Sequence, residues 1–273
     1  MFQKALIGLF LLSLVGTAAH AIEGAPITLR DGLVWADVIC PGRGTFHFVV
    51  DTGAACSCVN LRSARRLGLR LGPALVVAGV GGSATGYRCA GFQGTVGAMR
   101  LPGEVVALDL SGPARGCSQA IDGLIGADFF KGRVARIDYA RGLLSRGASL
   151  PDGAAMQGRF ENGVFCVPVA VNGSPARWTR LDTGCTDALD WCVAAGGGKR
   201  ASPTVALAAF AKSRLRADVR VGGAEMPGLP VKLHSREIFP GEAGLLGNGA
   251  LCRYTVTIDG ITGRVALTSP DGK

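Results

Sequence analysis

Apolar and polar positions alternate in short runs along most of this chain, and glycine-bearing turns break the runs. The segments Arg133 to Leu144 and Tyr254 to Leu267 each alternate around a turn, holding Gly142 in one and Gly263 in the other, as half-buried antiparallel strands do. Each predicts a closing hairpin. Two earlier pairs of runs, ending near Val50 and Leu181, have glycine turns at Gly42 and Gly173 and predict a hairpin each. Helices are expected only as short pieces, one after each Asp-Thr-Gly (Leu61 to Leu67 in the first half) and one after each of Gly126 and Gly247. The expected class is therefore mainly β with short helices.

One apolar run differs in kind. After Met1-Phe2-Gln3-Lys4, it extends from Ala5 to about Ala19 and precedes Ala19-His20-Ala21, a basic start, short hydrophobic stretch and small-x-small cleavage site. Residues 1–21 read as a signal peptide of an exported protein, periplasmic or secreted. The run is short for spanning a bilayer, and no later stretch approaches about 18 consecutive apolar residues, so no stable membrane insertion is expected after cleavage.

The pattern also repeats. Asp51-Thr52-Gly53 and Asp182-Thr183-Gly184 lie 131 residues apart, and the same offset lays Val38 on Val169, Gly42 on Gly173 and Val50 on Leu181. Farther on, Gly123-Leu124-Ile125-Gly126 matches Gly244-Leu245-Leu246-Gly247, and Ile137-Asp138 matches Ile258-Asp259. Each half repeats one plan: hairpin, Asp-Thr-Gly, variable middle, apolar-apolar-Gly strand, short helix, closing hairpin. Ala148 to Asn162 contains Leu150-Pro151-Asp152-Gly153 with little periodicity and reads as a linker. The division expected is residues 22–150 for one lobe, with Asp51, and 151–273 for the other, with Asp182.

Composition adds bounds. The 273 residues are 48% hydrophobic, enough to bury a core in one large domain or two small ones. The formal charge of +9 implies a basic surface, but the cations are scattered with little aromatic interleaving, and no nucleic acid partner is expected. All nine cysteines follow residue 21, where export would permit disulfides; nine is odd, so at least one thiol is free or paired between chains. The absence of a CxxC pair and the scarcity of histidine argue against a metal, and no cofactor is expected. Gly79-Val80-Gly81-Gly82-Ser83-Ala84 loosely fits a dinucleotide fingerprint, but no helix pattern follows it.

One Asp-Thr-Gly is a weak signal; two, in matched surroundings, point to paired carboxylates. Two carboxylates at one point cannot both ionise easily, so they share a proton and supply one base and one acid. A water between them can then attack a carbonyl without a covalent enzyme adduct. On Val49-Val50-Asp51-Thr52-Gly53-Ala54, Leu181-Asp182-Thr183-Gly184, Leu124-Ile125-Gly126 and Leu245-Leu246-Gly247, the chain resembles the retropepsin and pepsin group of aspartic proteases. That resemblance implies a bilobal fold of two related, closed β-barrel-like lobes in one chain, and hence a monomer.

It further implies peptide-bond hydrolysis at Asp51 and Asp182, acting on a protein or peptide substrate. Thr52 and Thr183 would bond across to the opposite loop, and Gly53 and Gly184 would allow sharp turns that place amides near the carboxylates, where a side chain would obstruct substrate. Gly79, Val80, Gly81 and Gly82 lie where a single glycine-bearing flap would close over substrate; the corresponding middle of the second half, Pro203 to Val221, contains no glycine. Ala54 and Cys185 depart from the pepsin pattern of a hydroxyl after the triplet, which implies a less acidic pH optimum than pepsin's. The competing reading is a catalytically inactive peptide-binding or inhibitor module on the same fold.

Overall fold

A computed structural model of the chain describes residues 23–80, 82–147, 149–151, 153–193 and 215–270. The expected signal peptide, Gly81 at the tip of the expected flap, and residues 203–214 of the second half's middle lie outside the described residues. The protein is mainly β, and short helices follow the first triplet and both boxes; a further 3₁₀ turn, Pro113–Gly116, has no signal in the pattern, and among the described residues none follows the second triplet. Leu61–Leu67 is helical: the Asn60 side chain accepts from the Arg62 amide at its start, and Gly68 at φ 74° ends it. A 3₁₀ turn at Ala127–Phe129 and a helix at Asn248–Leu251 follow the two apolar-apolar-Gly strands. Among the described residues, no helix is long and apolar enough to cross a membrane.

Both halves lay their strands in one order. In the first, Leu33–Cys40 pairs antiparallel with Gly44–Val50, which runs parallel to Gly123–Ile125; then come Cys58–Asn60, Glu104–Leu108 and Gly82–Ala90. In the second, Val164–Val171 pairs with Arg177–Asp182, parallel to Gly244–Gly247, followed by Leu189–Cys192, Ala224–His234 and Leu215–Val221. Each parallel or antiparallel relation is the same in both. The second set closes into a six-stranded barrel through Val169 opposite Val221. The first set instead continues into Ala74–Gly79, which pairs with Gly82–Ala90 as a long edge hairpin.

The two closing hairpins meet each other. Val134–Asp138 pairs antiparallel with Thr255–Asp259, setting Ile137 opposite Val256, and each brings its own hairpin partner, Leu143–Arg146 or Arg264–Thr268. The shared sheet is completed by Glu23–Arg30 at one side and Ala155–Gln157 at the other. Buried Phe129, Phe130, Ile137, Leu144, Phe165, Val256 and Ile258 belong to one apolar cluster drawn from both halves. The 148–162 segment is therefore not a plain linker. Ala155–Gln157 extends the shared sheet and Arg159–Glu161 pairs with Val164–Val171; strands three residues long carry too few alternations for a period to show.

Candidate active site

The sheet delivers each Asp-Thr-Gly to the same place. Gly44–Val50 ends at Val50 beside Ile125, and the Asp51 amide donates to the Ile125 carbonyl at 2.9 Å. Asp182 is the last residue of its strand and lies opposite Gly247. The glycines of the two boxes are required by close approach. A Cβ on Gly126 would lie 2.6 Å from the Cys56 carbonyl oxygen, and one on Gly247 would lie 2.6 Å from that of Cys185. The loop after each triplet thus rests on the bare backbone of its box.

The threonines join the two loops reciprocally. The Thr52 amide donates to Thr183 Oγ1 at 3.0 Å, and the Thr183 amide donates to Thr52 Oγ1 at 3.1 Å. Each hydroxyl then donates beyond, Thr52 to the Leu181 carbonyl at 2.7 Å and Thr183 to the Val50 carbonyl at 2.6 Å. Both side chains are fully buried. Four bonds crossing between strand ends 131 residues apart fix the two triplets against each other.

The glycines of the triplets are held by space more than by a sharp turn. Neither Gly53 nor Gly184 is among the residues with positive φ, so a sharp left-handed turn is not what selects them. Space is. A Cβ on Gly53 would overlap the Asp182 carboxylate, and a Cβ on Gly184 would lie 2.5 Å from Asp51 Cγ and Oδ1. Each carboxylate therefore sits over the other half's glycine, which brings Asp51 and Asp182 together.

Their surroundings are not equivalent. Asp51 Oδ1 accepts from the Gly53 and Ala54 amides, each at 3.0 Å, whereas Asp182 Oδ1 accepts from Gly184 at 2.9 Å. The Ala54 and Cys185 amides both bond to the main-chain oxygen of their own Asp at 3.2 Å, so the difference lies in Ala54's second bond, to the carboxylate. Asp182 is the more deeply buried, at 7% exposure. Burial raises the pKa of Asp51, with the Ala54 and Gly53 amides opposing the rise. Burial raises that of Asp182 much further, and the Asp51 charge adds to it. Two carboxyls so close and so buried favour one proton shared by the pair.

Cys185 is a neutral thiol here. Burial and then the Asp182 charge push its pKa to about 12, which removes it as a nucleophile at ordinary pH. All nine cysteines are unpaired.

Several residues that support the loops lie outside every sequence motif. Ser57 donates to Asp128 at 2.7 Å and accepts from the Gly126 amide at 3.1 Å. Asn248 Nδ2 donates to the Thr183 carbonyl at 2.6 Å, while its Oδ1 accepts from the Tyr139 hydroxyl at 2.7 Å. Arg180 and Glu242 form a buried bidentate pair beside Gly53. The flap segment is a hairpin: Gly79 pairs with Gly82, and Gly82 at φ 121° needs its missing side chain. Val76 and Val80 on it are exposed, at 77% and 61%.

Residues 36–129 match the aspartyl protease family model, which supports aspartic protease activity. The matched stretch carries Asp51, the Ala74–Ala90 hairpin and the Gly123–Gly126 box, and ends before Asp182. No curated protein matches the chain in sequence.

Proposed function

We propose that the protein is an aspartic endopeptidase that hydrolyses peptide bonds through a water activated between Asp51 and Asp182, both supplied by one chain acting as a monomer. The observation that carries this reading is the reciprocal fit of the two triplets. Four threonine bonds cross between them, and each glycine faces the opposite carboxylate.

The asymmetry of the pair gives the roles. Asp51, served by two amides, is the ionised base; Asp182, buried beside that charge, is the protonated acid. As water oxygen bonds to the scissile carbonyl carbon, Asp51 takes a water proton and Asp182 gives its proton to the carbonyl oxygen. The tetrahedral diol collapses when Asp51 passes its proton to the leaving nitrogen and Asp182 recovers one from a hydroxyl. The pair returns to its starting state with no covalent adduct.

A peptide lies extended in the cleft, and the Ala74–Ala90 hairpin closes over it with Val76 and Val80 offering apolar contact and the backbone offering strand-like pairing. Residues 1–21 export the chain and are removed.

Activity requires Asp51 ionised and Asp182 protonated. Burial raises both pKa values, so both limbs of the pH profile move upward. Hydrolysis of denatured casein, followed by mass spectrometry of the fragments across pH, is expected to peak at weakly acidic pH. A maximum near about pH 2, the range of pepsin's lower dyad pKa, contradicts the assigned environment; absence of cleavage at every pH contradicts the function.

A further inference from the structure

The repeat exposes one pair of positions where the halves differ in kind. The offset that lays Asp51 on Asp182 lays Val49 on Arg180, and the offset that joins the two glycine boxes lays Ile121 on Glu242. In the first half Val49 and Ile121 are buried with Leu33, Trp35 and Leu110 in a small apolar cluster. In the second, Arg180 Nε and Nη2 donate to the two oxygens of Glu242, each at 2.7 Å, with side chains 7% and 3% exposed. The guanidinium carbon lies 3.5 Å from the Phe239 ring centre. A buried ion pair is seldom more stabilising than apolar residues of similar size, and the first half builds the same corner from Val and Ile.

The third guanidinium nitrogen shows what the charge contributes. Arg180 Nη1 crosses to the first half and donates to the Gly53 carbonyl at 2.9 Å. That carbonyl shares one peptide unit with the Ala54 N–H, which donates to Asp51 Oδ1 at 3.0 Å. A chain of polarised bonds thus runs from Glu242 through Arg180 and the Gly53–Ala54 peptide to Asp51. Ala54 N–H and Cys185 N–H each also donate to the main-chain oxygen of their own Asp at 3.2 Å, so the halves differ in the added bond from Ala54 to the Asp51 carboxylate, and the position corresponding to Arg180 holds Val49, which has no side-chain donor.

Resting on the peptidase reading above, we infer that Arg180, oriented by Glu242, is a positioning residue that polarises the Gly53–Ala54 peptide and thereby makes Asp51 the ionised member of the pair. Other titratable groups face this corner. Cys166 on Val164–Val171 has its pKa pushed to about 12 by burial and then by Glu242. Arg159 and Glu161 on the adjoining strand pair with each other at 2.7 Å. Cys58 is raised well above its ordinary value and Cys185 to about 12. All three thiols stay neutral while the carboxylates titrate.

The test follows the amide signals of Gly53 and Ala54 in the nitrogen-15-labelled full chain as pH is changed, reading Asp51 ionisation without needing turnover. Arg180→Met is expected to raise the midpoint by about one pH unit, a tenfold change in proton affinity; Arg180→Lys keeps the charge and recovers part of the shift. The double variant Arg180→Val with Glu242→Ile copies the first half's apolar corner, guards against misfolding of the single variant, and is expected to show the same rise. The acidic limb of kcat/KM should move by the same amount. Midpoints within about 0.3 unit of wild type in both Arg180→Met and the double variant overturn the relay. A shifted midpoint in a protein that cleaves nothing leaves the relay standing and overturns the peptidase reading.

Discussion

Asp51→Asn and Asp182→Asn are each expected to lower kcat/KM for an unfolded protein substrate by on the order of 10⁴-fold while leaving the fold intact. Asn at 51 can take no proton from water, and Asn at 182 cannot donate and recover an ionisable proton. The double variant should be little worse than either single one, because the carboxylates act as a unit. Stability should move the other way. Carboxyls whose folded pKa lies above the unfolded value stabilise the protein while protonated, and that contribution is lost as pH rises through the folded pKa. Both carboxyls are shifted in this direction. Thermal unfolding of Asp182→Asn should thus match wild type in acid, and its melting temperature should fall less than wild type's as pH rises from the ordinary carboxyl range toward neutrality. Wild-type activity in both single variants would remove the dyad assignment.

Gly53→Ala and Gly184→Ala are expected to carry the next largest effects. A methyl on Gly53 overlaps the Asp182 carboxylate, and one on Gly184 lies 2.5 Å from Asp51 Cγ. In either case the obstructed atoms are the working ones. Relief requires rotating a carboxylate away or spreading loops that four threonine bonds hold together. Such overpacking costs roughly 1–3 kcal/mol, and a displacement of about 1 Å at a reacting group costs on the order of 10²-fold in rate. Chemical denaturation and kcat measured on the same samples check both. Because φ is not the constraint at either glycine, Gly→Ser should behave like Gly→Ala. Unchanged kcat in the alanine variants would mean that the carboxylates do not meet over these glycines.

What the sequence revealed was whatever repeats. Asp51 and Asp182, their hairpins, the Gly123–Gly126 and Gly244–Gly247 strands and the Leu61–Leu67 helix all stand on alternation, capping residues or a fixed offset between copies. These are local or paired signals, legible without coordinates. The parts that remained hidden act through contacts between segments far apart in the chain. Asn248 reaches Thr183 and Gly32, and Arg180 reaches Glu242 and Gly53; no period or spacing announces such bonds. Arg180 and Glu242 did leave one trace, since the repeat sets them against Val49 and Ile121. A charged pair standing where its copy is apolar marks a place where the halves have separate duties. Gly53 and Gly184 were found for an incomplete reason: a triplet shows that glycine is needed, but only the opposing carboxylate shows why.

The most direct test of the account is a titration of wild-type protein labelled with carbon-13 in its aspartate carboxyls, the two signals assigned through the Asp51→Asn and Asp182→Asn variants. If one dyad is assembled from both halves, the two carboxyls titrate as a coupled pair in steps separated by about three pH units, with one proton retained between them. Asp51 then titrates in one step once residue 182 is Asn, and Asp182 in one step once residue 51 is Asn. Independent ionisation of both carboxyls within about one unit of 3.9, with neither signal responding to loss of the other, would contradict it.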